Sequence, residues 1–113
     1  SLMRTKYKFT LETAKHFFIK ELKGVYFRNK WCSINDGHLI INRGYSWNGC
    51  TMAIDTDRTY VASLIHDLLY QFNIVPQIQA DFVFYNILLD YKFKFAKLYY
   101  IAVVLFGEKY YIC

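Results

Sequence analysis

"SLIHDLLYQFNIVPQIQADFVF", residues 63–84, decides the fold. Val61, Leu64, Ile65, Leu68 and Leu69 recur at helical spacing, and Asp57 suits the N-cap of that helix. "NIVP" breaks the period, and Pro76 fits the first turn of a second helix over residues 77–91. So short a connection requires two nearly antiparallel helices. Into this apolar hairpin the chain sets His66 beside Asp67, Tyr70 one turn on, and Asp81 beyond the break.

His66 lies seven residues before Asn73 and Asp81 five after Pro76. At the rise of a helix these are about 10 Å and 7.5 Å from the turn, so the two side chains stand at similar heights. Asp81 shares a stripe with Phe84, Tyr85 and Leu88. An unpaired carboxylate on such a face costs on the order of several kcal/mol, and His66 is its natural partner. Tyr70, at i+4 from His66, can donate its hydroxyl to Asp81. A carboxylate on one ring nitrogen fixes the imidazole tautomer and equips the other nitrogen as a base. His66, Asp81 and Tyr70 are therefore the candidate catalytic residues, although the same cluster would equally hold helices in register.

Asp67, rotated about 100° from His66, is expected to face a different surface, the loop "GYSWNGCT" at residues 44–51. Gly44 and Gly49 permit tight backbone geometry, while Ser46, Asn48 and Thr51 can hydrogen-bond exposed backbone groups. Trp47 and Cys50 complete this loop near the site. With loop carbonyls, Asp67 is a possible ligand for a hard cation such as calcium, though no cofactor is the simpler expectation.

Upstream, "KYKFTLE" (residues 6–12) alternates like a half-exposed strand, and "GVYFRNKWCSI" (residues 24–34) is rich in β-branched and aromatic residues. Asn35-Asp36-Gly37 is a tight-turn signal before residues 39–41, giving a hairpin. Residues 13–23 suit a short helix or a strand. "FAKLYYIAVVLFG" opens a third helix over residues 95–111 that ends or kinks near Gly107. The expected architecture is α+β: a small N-terminal antiparallel sheet with a C-terminal helical hairpin and a third helix. It forms a single domain over residues 1–113, strands and loops over 5–56 and helical over 57–113.

Fifty-five per cent hydrophobic residues, with 11 Tyr and 10 Phe, support a packed core and argue against disorder. Ser1 and Leu2 ahead of Met3 read as a tag remnant, and no signal peptide is expected. Cys32, Cys50 and Cys113 show no C-x-x-C spacing, which favours reduced thiols in a cytoplasmic setting. Residues 95–107 are too few for a bilayer span, which needs about 20 apolar residues. His16 and His38 lack the H-x-x-H spacing that would bring them to zinc with His66. Cys50 beside Gly49 reads as a packing residue ahead of a nucleophile. Residues 1–43 carry nine Lys/Arg against three Asp/Glu, a net +6, but no nucleic-acid motif.

"GYSWNGCT", "HDLLY", "ADFVF" (residues 80–84) and "AVVLFG" (residues 102–107), in that order, resemble a small phage- and prophage-encoded family, the domain of unknown function family 1353. Asn48 stands where that loop commonly carries Asp. The resemblance implies a mobile-element accessory protein, cytoplasmic in the host or associated with the phage particle, whose partner is a phage or host protein. H-D-x-x-Y with a second Asp is also similar to phospholipases A2. That similarity implies His66 as base, Asp67 as calcium ligand, Asp81 as orienter and Tyr70 as support in a small ester hydrolase.

Overall fold

The structure, a computed structural model, describes residue 7, residues 9–49 and residues 57–107. The chain divides into two compact units, Ser1–Trp47 and Asn48–Cys113. The α+β architecture is as expected: antiparallel strands come first and three helices follow.

In the first unit, β2 (Lys15–Phe18), β3 (Tyr26–Arg28), β4 (Cys32–Asn35) and β5 (His38–Ile41) form a sheet ordered β2-β5-β4-β3. A separate pair joins β1 (Phe9–Thr10) to β6 (Ser46–Trp47). The β4–β5 hairpin turns at Asp36 and Gly37, whose φ angles of 50° and 89° are those of a two-residue primed turn. The Gly24 N–H donates to Asp36 Oδ1 at 2.8 Å, pinning this turn to the start of β3. Period-2 alternation sends Cys32, Ile34, Leu39 and Ile41 inward, where Leu11, Ile19, Leu22, Tyr45 and Trp47 are also buried.

Several strand expectations shift. Residues 24–34 are two strands, because Asn29 Oδ1 accepts from the Trp31 and Cys32 N–H groups at 2.8 and 2.9 Å and folds the run back on itself. The strand expected over residues 6–12 is confined, among the described residues, to Phe9–Thr10. The ambiguous residues 13–23 are both things at once, β2 followed by a 3-10 turn over Lys20–Leu22.

In the second unit, α1 (Asp57–Gln71) and α2 (Gln77–Asp90) are antiparallel, and α3 (Ala96–Ala102) passes into a π-helical turn at Val103–Gly107. Pro76 stands one residue ahead of α2 and caps it with its carbonyl, which accepts from the Gln79 and Ala80 N–H groups. Asn73 ends α1 with φ 52°, its N–H bonded to the Tyr70 carbonyl and that of Ile74 to the Leu69 carbonyl. Lys92 repeats this at the end of α2 with φ 57°. Both are left-handed caps that satisfy orphan carbonyls. Arg58 Nη1 donates to the carbonyls of Tyr91 and Lys92 at 3.0 and 2.9 Å, tying the start of α1 to the end of α2. Leu64, Ile65, Leu68, Leu69, Val83, Phe84 and Leu88 fill the core between the helices. No helix among the described residues is long and apolar enough to cross a membrane.

Candidate functional site

The equal heights expected for His66 and Asp81 are realised. His66 Nε2 and Asp81 Oδ1 lie 2.7 Å apart, and the Tyr70 hydroxyl donates to the same oxygen at 2.6 Å. As a carboxylate Asp81 can only accept, so Nε2 carries the imidazole proton. The helical register explains the convergence. His66 and Tyr70 stand one turn apart on α1, and the short turn through residues 73–76 brings the first part of α2 alongside them.

The surroundings are apolar. The His66 ring lies 4.1 Å from that of Tyr70 and 4.8 Å from that of Phe84, centroid to centroid. Phe84 is on the Asp81 stripe, as is buried Leu88, while Tyr85 is half-buried and stacks on Tyr100 of α3 at 4.5 Å. His66 is 0% and Asp81 2% exposed, while Tyr70 is half-buried. In such a medium hydrogen bonds are strong and a missing partner is costly. The cluster therefore couples α1 to α2 tightly, and His66 in this conformation offers no surface to an incoming ester.

Asp67, next in sequence, is half-buried. The loop residues fall in different places. Gly44 precedes β6, and Trp47, at its end, pairs with Phe9 and is completely buried in the sheet unit. Asn48 and Gly49 open the second unit. Cys50 and Thr51 lie outside the described residues, so the packing expected of this loop against α1 rests partly on residues not described. Among the described residues no group of three or more His, Cys, Asp or Glu side chains is arranged to hold a metal ion.

Phe84, on the Asp81 stripe as its i+3 spacing implies, forms the wall against His66. One contributor has no local signal in the sequence: Arg58, which clamps the far end of the helix pair. No family model, curated protein or solved structure matches this chain.

Proposed function

We propose that the protein is a phage- or prophage-type accessory protein that works by binding a phage or host protein, with His66, Asp81 and Tyr70 as an internal lock between α1 and α2. The burial of His66 and Asp81 carries this reading, because a base that meets substrate needs an open cleft. The outward faces of the helices supply the binding surface. Ile78, Phe82 and Leu89 lie along α2 at i, i+4 and i+11, and Leu98, Ile101 and Leu105 follow on α3 and its π turn; all are exposed, Ile78 by 74%. Apolar stripes of this kind mark protein contacts. The phage setting, and with it a host-cytoplasmic or particle-associated location, rests on the ordered motifs alone. The test is cross-linking in phage-carrying cells. One specific partner should be captured by the wild type and lost with Phe82→Glu or Ile101→Glu, while His66→Gln retains it in proportion to its folded fraction.

A second reading has one observation in its favour. Nε2 of His66 on Asp81, with a tyrosine hydroxyl on the same oxygen, is the arrangement that orients an imidazole for general-base work. An ester-hydrolysis assay with and without millimolar calcium decides it. Turnover by the wild type that vanishes in His66→Gln would replace the binding reading with a hydrolase; no turnover and a calcium-independent melting temperature are expected.

A further inference from the structure

The four-stranded sheet presents one open face whose composition the binding reading leaves unused. Its register sets two rows across the strands. Phe18, His38, Asn35 and Tyr26 form the first, and His16, Ile40, Ser33 and Arg28 the second. Directly paired residues share a face and so do residues two apart, so all eight side chains project to the same side. Seven are exposed and Ser33 is half-buried, with Phe18 at 54% and Tyr26 at 69%.

Four of the eight positions carry flat rings and none carries an acid. The rings of Phe18, His38 and His16 follow one another at centroid spacings of 5.0 and 5.7 Å. Tyr26 stands at the opposite edge of the same row, three strand spacings away, or about 14 Å. Cations flank the rings. Arg28 is on the face itself, and Lys23 holds its ammonium 5.8 Å from the Phe18 ring centroid. Asn35 and Ser33 between them offer hydrogen-bonding groups to base edges. The whole unit, residues 1–47, carries nine Lys/Arg against three Asp/Glu.

We propose that this face binds single-stranded nucleic acid, with bases stacked on Phe18, Tyr26 and the histidine rings and phosphates met by Arg28 and Lys23. Every base has a π-face, so a platform of exposed rings edged with cations takes single strands with little sequence preference. A four-stranded sheet has room for about two or three stacked bases. An acidic protein would match the charge but not the row of exposed rings, and a duplex would hide the base faces that the rings contact. Charge complementarity and the ring pattern together favour an unpaired polyanion.

The test is fluorescence anisotropy of the full chain with labelled oligothymidine and oligouridine of about 12 nucleotides. Binding that weakens as salt rises from about 50 to 200 mM is expected, with duplex of the same length bound more weakly. Phe18→Leu and Tyr26→Leu, which keep apolar bulk and remove the π-face, should each lose about 5- to 100-fold in affinity. Phe18→Tyr should retain binding. Arg28→Ala should weaken binding and reduce the salt slope by about 0.7. The changed side chains are exposed, and circular dichroism checks that the variants stay folded. Equal affinity for the leucine variants and for inorganic polyphosphate would overturn the proposal in favour of charge alone. Binding to anionic phosphatidylglycerol vesicles with none to the oligonucleotides would overturn it in favour of a lipid surface.

Discussion

Replacing His66 by alanine withdraws one of two donors from Asp81 Oδ1 and leaves a hole against Phe84. The cost should be on the order of 1–3 kcal/mol, read as a lowered midpoint in urea. Tyr70→Phe removes the other donor and should cost about 1 kcal/mol. Because both act on one oxygen, the double variant should depart from additivity by at least about 0.5 kcal/mol. Cys32 offers an independent check through pH. Burial pushes its thiol up from 9.0 to about 11, with the neutral form favoured in the folded state. Its stabilising share is thus complete below pH 9 and is lost as pH rises through 11. Wild type should lose more stability over that window than Cys32→Ala, by an amount on the order of 1–3 kcal/mol. At this scale the His66–Asp81 pairing was legible, because helix rise and an apolar stripe leave a carboxylate few choices. The stacking of Tyr85 on Tyr100 was not, since an aromatic beside a buried stripe stacks wherever a second ring waits.

Among the elements, the helical hairpin was read correctly because its period, its break and its length agree. The strands were read less well. A run rich in Val, Tyr, Phe and Trp has no period-2 interruption where β3 ends, and only the side chain of Asn29 folds it back. Local hydrogen bonding by a single Asn is weak as a sequence signal and decisive once formed. The Asp36-Gly37 turn carries the opposite lesson, for its dipeptide announces it. Gly37 sits at φ 89°, and a Cβ there would lie 2.8 Å from Phe18 Cε1 and 3.1 Å from the Ile19 carbonyl oxygen. The exposed Phe18 ring can swing away, but the backbone conformation and the carbonyl cannot. Gly37→Ala should therefore cost about 1–3 kcal/mol, and hydrogen exchange should show β4 and β5 loosened.

For the whole molecule, the break in charge along the sequence coincides with the break in structure. The basic residues belong to the sheet unit, whereas residues 48–113 carry five Lys/Arg and six Asp/Glu. The boundary itself was not legible, since β6 lies inside what reads as a loop approaching α1 and only its pairing with β1 assigns it to the sheet unit. The His66 cluster is wholly within the helical unit. Hydrogen exchange on His66→Ala should accordingly show faster exchange in α1 and α2. The β1–β6 pair has a last consequence. Phe9 and Trp47 are direct partners across antiparallel strands, so the first and last described strands of the sheet unit lie side by side. Ends so placed suit circular permutation of residues 9–47. A short glycine bridge between Trp47 and Phe9, with new ends at the exposed Lys30, would reorder the strands in sequence while keeping each strand pairing.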